Sequence, residues 1–149
     1  MNSQTLAVLR RFLTLVTEGQ PPSLEELARA LDELAMTVHD TPEGDPADSD
    51  AEPPEGDYKA MHAHLSARFP DFGFYPVVDP AGAPGEEEAV VGDAIDDLAD
   101  IIQDLEELCW RFDNLGPHDA YWHLHLLYRA HWGRHLRDLS SYLHAKQFG

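Results

Sequence analysis

Residues 119–145 read DAYWHLHLLYRAHWGRHLRDLSSYLHA, and the recurrence of their bulky side chains points to a helical architecture. At about 100° per residue, Tyr121, Leu124, Tyr128, His131, Trp132, His135, Leu139 and Tyr142 fall on one broad face, as in an amphipathic helix. The spacing predicts a helix that opens after Leu115-Gly116, takes Pro117 into its first turn, and runs to about Ala145, long enough to cross the whole molecule. Leu126, Ala130 and Gly133 stand on the opposite arc. A glycine inside a helix costs about 1 kcal/mol relative to alanine, so the pattern predicts that another helix approaches closely at Gly133 and compensates.

The segment just before it, DAIDDLADIIQDLEEL over residues 93–108, carries two stripes. Ile95, Leu98, Ile102, Leu105 and Cys109 form an apolar one, and Asp93, Asp97, Asp100 and Asp104 form an acidic one on the other side. With Asp93 as N-cap, the helix extends to about Asn114 and makes a short hairpin with the helix that follows. The dipole and free amides of the first turn account for Asp93, Asp96 and Asp97. Asp100 and Asp104 lie too deep for that, and like charges four apart cost roughly 0.2–0.5 kcal/mol per pair. No lysine or arginine interrupts the helix before Arg111. Three readings stay open for these two aspartates: a solvated face, ion pairs to the next helix, or metal ligation.

Upstream, Leu6, Leu9, Leu13 and Val16 with Phe12 predict a helix from about Ser3 to Glu18, stopped by Gly19 and Pro21. Ser23 and Glu26, in capping-box spacing, open a second helix carried by Leu24, Leu27, Leu31, Leu34 and Val38. Residues 40–57 then hold eight acids, four prolines, no base and no large apolar residue, which predicts a disordered, mobile linker. Tyr58, Met61, His62, Leu65 and Phe69 predict a short third helix. Phe72, Phe74, Tyr75, Val77 and Val78 are too apolar to stand in water, so this glycine- and proline-rich stretch is expected to pack over the bundle as a covering loop with room for a short extended piece. The expectation is one all-α domain over residues 1–149: a helical hairpin at 1–39, an acidic linker at 40–57, and a bundle of about five helices completed by 58–149.

The 28 acids against 10 bases give a formal charge of -18, which repels a phosphate backbone and speaks against nucleic-acid binding. The same charge leaves open an acidic mimic or inhibitor of a basic partner. Cys109 is the only cysteine, so neither an internal disulfide nor a thiolate metal cage is available, and a reducing compartment fits. The first residues, MNSQTLAVLRRFLTLV, read as an amphipathic helix with internal arginines rather than a signal peptide. No apolar run reaches membrane-spanning length, so the expected location is the cytoplasm, without membrane contact.

Six of the nine histidines lie from His118 onward. His131 and His135, one turn apart, are either a bonded core pair or two metal ligands completed by Asp138 or by Asp97, Asp100 and Asp104. The zinc-protease helix needs a glutamate directly after its first histidine, where this chain has Trp132, so that chemistry is excluded. Cys109 sits on an apolar stripe, no serine occupies a nucleophile elbow, and Gly82 and Gly85 are followed by acids that would repel phosphate.

The pattern DDLADI..DL over residues 96–105, joined through a short hairpin to HWGRHL over 131–136, resembles a bacterial family known as a domain of unknown function, of the 5063 type. The likeness runs end to end: two leading helices, an acidic linker, an aromatic stretch ending at Asp79-Pro80, and two final helices. It implies an aspartate-rich helix (Asp97, Asp100, Asp104) facing a histidine-bearing one (His131, Trp132, Gly133, His135), and implies no activity. From the residues we expect a non-catalytic binding or protein-interaction module, with a protein partner or a second copy of itself as its partner and without cofactor. In that reading Trp132, Gly133 and Asp138 serve structure or interaction. The alternative is a metal-dependent, hydrolase-like enzyme holding a divalent ion at His131, His135 and the aspartates.

Overall fold

The computed structural model describes residues 3–149. Its elements, in order, are α1 (Gln4–Thr17), α2 (Leu24–Asp40), α3 (Tyr58–Arg68), β1 (Phe74–Val77), β2 (Val90–Asp93), α4 (Ala94–Leu115), α5 (Pro117–Leu127), a π-turn (Tyr128–Trp132) and α6 (Gly133–Phe148). Counting the last three as one interrupted helix, the described residues form an all-α bundle of five helices with a small two-stranded ribbon. Among the described residues no helix is long and apolar enough to cross a membrane.

The helices begin where the sequence supplies a side-chain acceptor for free amides. Ser3, Ser23, Asp57 and Asp93 cap α1 to α4, and Ser23 with Glu26 closes a full capping box. The α1–α2 corner is closed by Arg68 of α3, whose guanidinium donates to the carbonyls of Leu15, Val16, Glu18 and Gly19 at 2.7–3.2 Å. Those carbonyls end α1 and have no helical partner of their own. A continuous core joins Leu9, Phe12, Leu31, Leu34, Leu98, Ile102, Leu105, Leu124, Leu136 and Leu139. Within it α4 is central, packing against α1, α3, α5 and α6.

The long final helix is not straight. At 100° per residue Leu124 and Leu136 would lie about 120° apart, yet both are buried; omitting one residue from the count leaves about 20°. The π-turn absorbs that residue, with the Gly133 N–H bonded to the Tyr128 carbonyl five positions back. This corrects the expectation for Gly133: a Cβ there would lie 2.3 Å from the Tyr128 carbonyl oxygen and 2.9 Å from its ring, so the glycine accommodates its own helix rather than a neighbour.

Two connecting segments also differ from expectation. The acidic linker has no helix or strand, as its composition predicts, but its first half is tied down. The Asp45 N–H bonds the His118 carbonyl at 3.0 Å and the Ala47 N–H bonds Asp119 Oδ1 at 2.8 Å. His125 Nε2 donates to the Thr41 and Pro42 carbonyls at 2.9 and 3.1 Å. Gly44, at φ +70°, passes so near α5 that a Cβ would sit 2.2 Å from the His118 carbonyl oxygen. Backbone groups thus supply the contacts that the missing apolar side chains do not.

The aromatic stretch covers the bundle only in part. Phe72 and Tyr75 pack on Tyr142, and Gly73 N–H bonds the Tyr142 hydroxyl at 3.0 Å. The stretch also pairs Phe74–Val77 with Val90–Asp93 as an antiparallel ribbon, whose pleat turns Phe74 outward, and Val78 beyond it is exposed too.

Candidate metal centre

Asp97, Asp100 and Asp104 recur at three- and four-residue steps along α4 and meet α6 at the seam between the two helices. The acidic stripe is therefore not a face toward open water: Asp97 is 5% and Asp104 7% exposed. Two polar rows from adjacent helices meet because the α4 side that carries the aspartates packs against α6, while the solvent face of α4 lies elsewhere, at Gln103 and Glu106.

Across the seam carboxylates and imidazoles alternate. Asp97 Oδ1 lies 2.8 Å from His135 Nδ1, and His135 Nε2 lies 3.2 Å from Asp100 Oδ2. Asp100 Oδ1 lies 3.7 Å from His131 Nε2, and His131 Nδ1 lies 2.7 Å from Asp104 Oδ2. The two rings stand edge to face with centroids 4.9 Å apart. Each Nδ1 is thus engaged by an outer aspartate, while both Nε2 atoms are directed at Asp100. One ligand atom from each of Asp100, His131 and His135 falls within 4.8 Å of the others.

The seam's electrostatics follow from burial. Burial pushes the carboxyls of Asp100 and Asp104 above the ordinary range, and the histidines only partly counter it. The hydrogen bond that His135 donates to Asp97 raises His135 above its usual value, with burial opposing and Asp100 adding to the effect. The outer oxygen of Asp97 accepts the hydroxyl of Tyr75, and burial together with that carboxylate holds Tyr75 protonated.

Of the residues singled out in the sequence, His131, His135, Asp97, Asp100 and Asp104 come together. Asp138 does not join them; it pairs with Arg134 at 3.1 Å along its own helix. Trp132 is fully buried, packs edge-on against Tyr128 and belongs to the core. The sequence reading missed Tyr75, which arrives from the β-ribbon to bond Asp97, and Tyr58, which bonds the preceding residue of α4, Asp96. No local pattern reveals either, since each contact spans an intervening chain; an unpaired aspartate beside an aromatic segment was the only signal.

The family model described as "Domain of unknown function (DUF5063)" matches residues 2–148, and the chain belongs to that family. No curated protein matches it. Among solved structures it is similar to the crystal structure of protein BF1032 from Bacteroides fragilis, a structural-genomics target. The two align with a TM-score of 0.76 at 15% identity, over 98% of this chain and 91% of that one. At that identity the likeness shows a common fold.

Proposed function

We propose that this family member binds one divalent transition-metal ion at the α4–α6 seam, through Nε2 of His131, Nε2 of His135 and the carboxylate of Asp100. The observation that carries the reading is the division of labour at the rings: Asp104 and Asp97 engage the two Nδ1 atoms at 2.7 and 2.8 Å, and both Nε2 atoms are directed at Asp100, so that in neutral rings their lone pairs converge beside one carboxylate. Outer carboxylates that fix the tautomer of a ligating histidine are the usual support of such sites. Imidazole with carboxylate favours zinc or a neighbouring first-row ion over calcium or magnesium. Three protein ligands leave a coordination position for water or a substrate, the arrangement of metal-assisted hydrolysis rather than of a closed structural site.

A second reading is favoured by the 3.2 Å approach of His135 Nε2 to Asp100: with both rings protonated, the seam is an ion-pair ladder that holds two helices of a non-catalytic module together. The two separate experimentally. Protein purified without a histidine tag carries about one metal equivalent in the first reading, and chelator lowers its unfolding midpoint. Metal-free protein that takes up no zinc and ignores chelator would establish the ladder instead.

A further inference from the structure

The β1–β2 ribbon presents an apolar face that none of the described residues covers. Cross-strand register puts Phe74, Pro76 and Val91 on the same side of the pleat, away from Tyr75, which faces the bundle. Phe74 is 75% and Val91 77% exposed, Val78 just beyond β1 is about half exposed, and Val90, paired with Val77 on the other face, is exposed as well. Each strand is paired on one side only. Pro76 withholds an N–H from β1, so β2 (Val90–Asp93) offers the more complete free edge. Bare apolar strands with open edges are a hazard that folds usually blunt with charge or cover.

The charge around the ribbon selects the occupant. Residues 71–93 contain six acids and no lysine, arginine or histidine, with Glu86, Glu87 and Glu88 exposed immediately before β2. A second copy would bring the same acids against these and add to the repulsion of a chain of charge -18. An anionic bilayer would be repelled in the same way. We infer that the ribbon is the docking edge for an extended segment of another protein that alternates apolar and basic side chains. The segment adds as a strand beside β2, laying its apolar side chains along Phe74 and Val91 and its lysines or arginines toward Glu86, Glu87 and Glu88.

The test uses the full chain and a synthetic seven-residue peptide alternating lysine and valine, labelled for fluorescence anisotropy. The expected result is saturable binding that weakens at least tenfold in a Phe74→Ser, Val91→Ser double variant; both side chains are exposed, so the variant retains the fold. Glu86→Gln, Glu87→Gln and Glu88→Gln together should weaken binding at low salt and flatten its salt dependence. Hydrogen exchange should slow at residues 90–93 when peptide is present. No binding up to millimolar peptide, binding equal in all variants, or protection confined elsewhere would overturn the inference. So would concentration-dependent dimerisation through the ribbon, or binding to anionic lipid vesicles that the double variant abolishes.

Discussion

Tyr75 and His135 share one carboxylate without touching: His135 Nδ1 lies 2.8 Å from Asp97 Oδ1, and the Tyr75 hydroxyl donates to Asp97 Oδ2. A ribbon distant in sequence thereby fixes the orientation of a group that in turn orients a ring on α6.

Removing that hydroxyl has a defined cost. Tyr75→Phe leaves one oxygen of a nearly buried carboxylate unsatisfied, and hydrogen bonds to charged groups are worth about 1.5–3 kcal/mol. Urea unfolding of the variant should show a loss of that order. An unchanged midpoint would mean that water replaces the hydroxyl at Asp97.

The outer aspartates should act on metal affinity without being ligands. Asp104→Asn keeps the shape but no longer favours the Nδ1–H tautomer of His131, and losses of outer partners typically weaken metal binding about 10–100-fold. Zinc titration of the apo-protein against a competing chelator measures this. His131→Ala and His135→Ala should weaken binding further than Asp104→Asn, and equal effects would argue against the proposed division between ligands and their supports.

For metal-free protein the sign of the pH dependence follows from His135. Its folded value stands above the ordinary 6.5, so the folded state holds the proton more tightly. The associated stability is fully present below that value and is lost as pH rises through the raised one. Asp100 and Asp104 shift in the same direction, from an ordinary 3.8, and contribute a similar decline beginning at more acid pH. Chelator-treated protein unfolded in urea between pH 6 and 9 should lose stability, and His135→Gln should flatten that slope.

Gly133→Ala inverts an ordinary rule. In a regular helix interior the change gains about 1 kcal/mol. Here the new Cβ meets a backbone carbonyl oxygen at 2.3 Å, and backbone cannot step aside without undoing the π-turn. Thermal unfolding should show the variant less stable than the parent. Increased stability would show that the turn relaxes to α-helix at no cost.

The linker should divide under limited proteolysis. An acid-directed protease should cut first at Glu52 or Glu55, which are exposed and preceded by a stretch with only the local Ala51-to-Ser49 hydrogen bond among the described residues, and later at Glu43, which pairs with Arg129 beside the docked Gly44. Early cleavage at Glu43 would show that the docking opens readily.

Much of this was legible in the chain. The five-helix pattern follows from apolar side chains whose burial does not depend on remote detail, as at Leu27, Leu31 and Leu34. The meeting of Asp97, Asp100 and Asp104 with His131 and His135 was also foreseen, because each row is helical and a short hairpin makes its helices neighbours. What stayed hidden needed tertiary detail: Tyr75 reaches Asp97 only once the ribbon is folded, and linker docking rests on backbone groups at Asp45 and Ala47 that composition does not report. The helix interruption escaped because periodicity over a long window averages away a single extra residue.

That extra residue makes length and side-chain identity at one place two records of a single event. A relative one residue shorter between its counterparts of Tyr128 and Gly133 would keep both flanking faces in phase as an unbroken α-helix, with no carbonyl crowding the later position. Glycine would then have no steric reason to persist there. Across the family, gap and glycine should be inherited together, and a chain that kept the insertion while admitting a larger residue would have moved its backbone to do so.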